Sequence, residues 1–175
     1  MPIPTKEIFA EALEKLILTK DIDQITVKDL IGQCPLSRSA FYYHFQDLDA
    51  LIQWILQKDV DQIVKESSAA STSREALLPY VNYVVKRQKV LRRALNSPRR
   101  GAIEKLMFDG TRRFLTGLPP QILPFCTRQS SEDKEFLVNF YACAVTGLWI
   151  LNADTPSLDA EALIDRLERL ILRCK

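Results

Sequence analysis

The chain is poor in the residues that catalysis and strand-rich folds draw on. It has one histidine, five glycines and four cysteines in 175 residues. The lone histidine comes with no glycine-rich phosphate loop and no cluster of Cys, His or acidic residues at ligand spacing. No catalytic set can be assembled, which argues against an enzyme. The cysteines stand at 34, 126, 143 and 174, without a CxxC pair. Such spacing supports neither zinc nor a disulfide framework, so reduced thiols, no metal and no cofactor are expected. Scarce glycine and the lack of strand-like alternation favour helices. The longest apolar run, 136–151, is broken by Asn139 and falls short of the roughly 20 residues that cross a bilayer. It reads as a helix buried in protein. Lys6 and Glu7 follow the first residues at once, which is no start for a signal peptide. A cytoplasmic protein without membrane contact is expected.

Charge of either sign is not in excess overall, at a formal +2, but it is unevenly placed. Residues 1–60 hold six basic and nine acidic side chains, whereas 86–113 hold ten basic ones against only Glu104 and Asp109. The basic segment reads either as a solvated face or as a surface for an acidic ligand or partner.

Helical periodicity runs through the chain. Phe9, Leu13, Leu16 and Ile17 form one stripe, with Thr5 as a candidate cap. Leu51, Ile52, Ile55 and Leu56 mark a longer helix opening at Asp47 and running to about Glu66. Ser67–Ser73 resembles a linker, with Ser73 as the cap of the next helix, which carries Leu77, Tyr80, Val81, Val84, Val85 and an internal Pro79. Ser97-Pro98 is a further helix start, with Pro at the first helical position. Pro119, Pro120 and Pro124 impose a loop. Ser130 then opens a helix through Leu137, Phe140, Tyr141, Ala144, Val145, Leu148 and Leu151, and Asp159 opens a last one through Leu163, Ile164, Leu167, Leu170 and Ile171. About nine helices and no sheet are expected, with no internal repeat.

The most informative stretch is 26–45. Thr26-x-x-Asp29 has the form of a capping box for a short helix whose Val27, Leu30 and Ile31 face inward. Gly32 and Pro35 end it, and Ser37 can cap the next helix. There Phe41 and Phe45 form the inward stripe. Arg38 and Tyr42, four residues apart, share the opposite face with Ser39 and Tyr43 beside them, and His44 at the end. Arg38 is near enough to the helix start to reach base edges in a major groove.

Leu36-Ser37-Arg38-Ser39-Ala40-Phe41-Tyr42-Tyr43-His44-Phe45, preceded by Ile25-Thr26-Val27-Lys28-Asp29-Leu30-Ile31, resembles the recognition-helix region of TetR-type transcriptional regulators. The resemblance covers roughly residues 5–56. It implies an all-α fold: an N-terminal three-helix helix-turn-helix domain, 1–48, and a larger helical effector-binding and dimerisation domain, 49–175. It implies DNA contacts from Thr26, Lys28, Ser37, Arg38, Ser39, Tyr42, Tyr43 and His44, with Thr26, Lys28, Tyr42 and His44 on phosphates. It also implies a homodimer through the last two helices, whose recognition helices stand about 34–36 Å apart on double-stranded operator DNA. A small-molecule effector would act from the C-terminal domain, and repression is the commoner mode in the family. Tyr83, Arg87, Phe108, Arg112, Phe125 and Tyr141 are the candidates for a mixed aromatic and cationic effector pocket. The acidic balance of the first 60 residues keeps a second reading open: a helical co-regulator that binds another protein and has weak or no DNA binding of its own.

Overall fold

The computed structural model describes residues 4–120, 122, 130–155 and 159–169. Within them the chain forms eight α-helices, one fewer than expected, and no strand. They are α1 (Thr5–Thr19), α2 (Val27–Gly32), α3 (Arg38–His44), α4 (Leu48–Ser68), α5 (Ser73–Leu95), α6 (Arg100–Gly117), α7 (Ser131–Leu151) and α8 (Ala160–Leu167), with a short 3-10 turn, Ile22–Gln24, before α2.

Helix starts follow the cap chemistry, with three corrections. Ser37, Asp47, Ser130 and Asp159 each accept the backbone N–H bond expected of a cap. Thr5 does not cap α1; Pro4 holds that position without a side-chain bond, and Thr5 is already helical. The cap of α5 is Thr72, because Glu75 three residues on closes a capping box with it and draws the start back from Ser73. α6 begins at Arg100, beyond Pro98: Ser97 Oγ accepts from the Arg99 amide at 3.2 Å and turns the chain first. The serine-rich segment is likewise shorter than expected, since Ser67 is a fully buried residue of α4.

Two apolar cores result. The first joins α1, Leu30, Phe41 and Phe45 to Leu51 and Ile55 of α4, and reaches Ala94, Leu95 and Ile103 at the α5–α6 end of the body. The second lies between α4, α5, α6, α7 and α8, and Met107 packs against both. α4 runs through both cores and rests closely on α6. A Cβ on Gly117 would stand 2.5 Å from Val64 Cγ1, and one on Gly110 3.1 Å from Val60 Cγ2.

α7 departs from its expected burial. Its buried stripe is Ala142, Val145, Thr146 and Trp149, not the stripe of larger side chains. Small Ala142 and Thr146 let α6 approach. Phe136, Phe140, Leu148 and Leu151 are left in solvent, Leu151 81% exposed. By length and composition alone α7 could cross a membrane, but one side of it is packed in the second core.

The second core is fixed by a buried polar chain. Trp149 Nε1 donates to the Tyr80 hydroxyl at 3.1 Å, and Tyr80 lies 2.8 Å from Thr111 Oγ1. Thr111 donates to the Met107 carbonyl at 2.8 Å and accepts from Thr146 at 3.1 Å. Its own proton being engaged, Thr111 must accept from Tyr80, so every proton in the chain has one direction. The Tyr80 ring also stacks on Phe114 at 4.4 Å, and burial pushes its hydroxyl pKa up to about 12. Tyr80→Phe leaves the indole N–H without its acceptor and is expected to lose about 1–3 kcal/mol in urea unfolding. A loss within about 0.5 kcal/mol, the ordinary range for a surface change, would show that the chain does not hold the three helices together.

Candidate nucleic-acid interface

The surface presented by α3 is built from the inside. Phe9 of α1 meets Phe41 edge-on at 5.4 Å and Phe45 at 6.4 Å, and Phe45 meets Trp54 of α4 at 5.9 Å. Phe41 is wholly buried. It therefore fixes which side of α3 faces out.

α2 is held by its own box. Thr26 Oγ1 accepts from the Asp29 amide at 3.2 Å, and the Asp29 carboxylate accepts from the Thr26 amide and hydroxyl. Lys20, at the end of α1, adds a bond to the same carboxylate at 2.8 Å. That lysine bond, then the Thr26 bonds, holds the Asp29 carboxyl well below the usual range. The sign follows: its stabilisation is present above the ordinary carboxylate range and is lost only as pH falls through the lowered value.

All eight expected DNA contacts fall at the start of α2 or on α3 and its cap. Thr26, Lys28, Ser37, Arg38, Ser39, Tyr42 and Tyr43 are exposed, and His44 is half-buried. The Arg38 guanidinium lies 5.6 Å from the Tyr42 ring centroid, so the two project together. Tyr43 is 84% exposed and stands edge-on to His44 at 4.9 Å. Two of the eight are already engaged as caps. The Thr26 hydroxyl is bound within its box, and Ser37 Oγ accepts from the Ala40 amide at 3.1 Å while facing Ser39 Oγ at 2.8 Å. The Ser39 hydroxyl is engaged with Ser37 in turn, whereas Arg38, Tyr42, Tyr43 and Lys28 present their side chains to solvent. Lys6, which the sequence did not single out, lies over Phe45 and Trp54 at 5.6 and 5.5 Å, beside the end of α3.

The five candidate effector residues that the structure describes are not brought together. Tyr83 and Arg87 line an apolar cavity of about 60 Å³ between α1, α4, α5 and α6, walled by Leu13, Ile55, Leu91 and Met107 among others. Arg112 is turned away to Glu135 and Asn139 of α7 at 3.3 and 3.0 Å. Phe108 and Tyr141 pack against the second core. Phe125 lies outside the described residues. The spread has a simple cause: Arg112 faces outward on α6, toward the Glu135 carboxylate and the Asn139 amide of α7. As folded, the cavity is below the few hundred Å³ that a typical ligand fills. Among the described residues no group of three His, Cys, Asp or Glu side chains is placed to hold a metal.

The acidic excess of the first 60 residues is met within the chain. Glu14 pairs with Arg87, Asp59 with Arg87 at 3.0 Å, Asp21 with Arg93 at 3.6 Å, and Asp23 and Asp49 both with Arg99. The basic segment therefore serves in part as the counter-charge of the N-terminal helices.

Comparison with known proteins bears on this architecture. No family model matches the chain. A curated relative, the HTH-type dhaKLM operon transcriptional activator DhaS of Lactococcus lactis subsp. lactis (strain IL1403), is 28% identical over 86 residues. That match covers 49% of this chain and 46% of the relative, so the chain spans about half the length of the curated protein it matches. A solved structure of the dihydroxyacetone kinase operon activator DhaS superposes with a TM-score of 0.79 at 20% identity, covering 98% of this chain and 96% of that one. A bacterial regulatory protein in the tetR family from Rhodococcus RHA1 superposes with a TM-score of 0.54 at 15% identity, covering 98% and 97%. The helix-turn-helix at the N-terminus and the helical body behind it thus make up the fold of the TetR-type transcriptional regulators.

Proposed function

We propose that the chain is a transcriptional regulator that binds operator DNA as a homodimer through α3 and answers to a small molecule in its helical body. The observation that carries this reading is the outward pairing of Arg38 with Tyr42 on a helix whose inner side is pinned by Phe41. A guanidinium near the start of a narrow rod can take the O6 and N7 of guanine. Lys28 and the tyrosine hydroxyls suit phosphates, which set register without reading sequence. Acids of the first 60 residues, the head of the chain, are paired with Arg87, Arg93 and Arg99, which takes away much of the reason for a co-regulator without DNA binding. Effector control would work by population shift, one spacing of the two recognition helices fitting the operator and the other not.

The homodimer rests on α7. Phe136, Phe140, Cys143, Gly147 and Leu151 recur at helical spacing along one exposed side, opposite the buried stripe. Gly147 sits in the last third of this helix, and no atom from another part of the chain comes within 4 Å of where a Cβ would stand. Close approach of a second copy gives that glycine a use.

In fluorescence anisotropy with duplex DNA from the promoter region of its own gene, Arg38→Ala is expected to weaken binding by about 1–3 kcal/mol and to relax sequence preference. Its melting temperature should stay unchanged, because Arg38 is exposed. Equal affinity for wild type and variant would remove Arg38 as a base reader. Light scattering should give twice the chain mass for the wild type. It should give a folded monomer for Phe140→Glu, which places a charge on the exposed stripe. A dimer surviving that change would place the interface elsewhere.

A further inference from the structure

Ten cations lie between Lys86 and Arg113, and nothing in DNA reading at α3 requires them. One of them occupies a singular place. Arg99 stands at the cap position of α6, in the corner between α5 and α6, with its amide tied to Ser97 Oγ at 3.2 Å. Its Nε donates to Asp23 Oδ1 at 3.1 Å, and its Nη1 donates to Asp49. Asp23 belongs to the 3-10 turn just before α2, and Asp49 to the first turn of α4 just after α3. One guanidinium therefore holds the two ends of the helix-turn-helix at once. It does so from the body, 76 and 50 positions away in sequence.

Stability is a weak reason for such an arrangement. All three side chains are partly exposed, and an exposed ion pair contributes little. Geometry is a better one. A guanidinium is a rigid planar fork, so two carboxylates on two of its nitrogens are held in fixed directions. A movement of the α5–α6 corner would be passed to both ends of the reading unit, not to one. Arg87 makes a second such junction, joining Glu14 of α1 and Asp59 of α4 beside the apolar cavity.

We propose that Arg99 is a positioning residue: through Asp23 and Asp49 it sets the attitude of the helix-turn-helix on the body, and so the fit of α3 to DNA. The proposal rests on the DNA-binding reading above. It accounts for the opposed charge of the two parts of the chain.

The test uses the full chain and sets two effects of opposite sign against each other. Asp23→Lys combined with Asp49→Lys makes the head more positive, so attraction to phosphate alone would tighten DNA binding. Loss of positioning would weaken it, by about 3- to 30-fold if Arg99 acts as a coupling residue. Adding Arg99→Glu to that pair restores opposite charges across the seam and should recover most of the loss. Binding of the double variant as tight as wild type, or no recovery in the triple variant, overturns the proposal. Arg99→Gln, which changes least, should weaken binding without lowering the melting temperature; unchanged binding overturns the proposal equally. A second readout needs no DNA. Spin labels at Gln33→Cys, in a cysteine-free background, report head-to-head distance in the dimer. The distribution should broaden in Arg99→Gln, and an unchanged one overturns the proposal. A wild type that binds no duplex DNA while its Arg99→Gln variant broadens would instead sink the regulator reading and leave the positioning role standing.

Discussion

A seven-residue helix cannot hold itself in water, and everything outward on α3 depends on what pins it inward. Nucleating a helix fixes several dihedrals for one hydrogen bond, so isolated helices of this length are marginal. α3 exists because Ser37 caps one end and Phe41 is clamped edge-on against Phe9. That contact also decides orientation. With Phe41 and Phe45 committed to the core, residues 38, 39, 42 and 43 can only face solvent. The same rings tie α3 to α1 and, through Phe45 and Trp54, to α4. The proposed reading surface is the far side of an aromatic core.

Charge is organised at a larger scale. The head is acidic and the α5–α6 part of the body is basic, and the two meet along one seam of ion pairs. Asp59 shows how closely this is built. Burial raises its carboxyl pKa, while Arg87 and Lys58 pull the other way. Removing one partner from such a group is far more disruptive than the worth of the pair suggests. The acids flanking α3 in sequence, Asp29 and Asp47, are themselves engaged in helix caps.

α7 has the opposite character, apolar on two sides. Its buried side goes with polar chemistry: the Trp149 N–H and the Thr146 hydroxyl find their partners on Tyr80 and Thr111. Small side chains there admit α6, and the larger ones remain outside. Large contiguous apolar patches are uncommon on monomers, and this stripe is the ground for the homodimer proposed above.

Local chemistry alone determined a good deal. The capping box at Thr26, the caps at Ser37, Asp47, Ser130 and Asp159, and the inward stripe of α1 are all legible as residue types at short spacing, because each rests on contacts within one turn. So is the outward set on α3, since four-residue spacing and two flanking phenylalanines leave one arrangement. Tertiary structure decided the rest. Which side of α7 is buried could not be read from an apolar helix with two apolar stripes; it followed from hydrogen-bond partners on other helices. The effector candidates separated because aromatic and cationic types say nothing of direction across helices. The Arg99 contacts join residues 76 and 50 positions apart. Sequence showed only that charge was unbalanced, since an ion pair depends on distance in space, and the fold alone brings the two signs together.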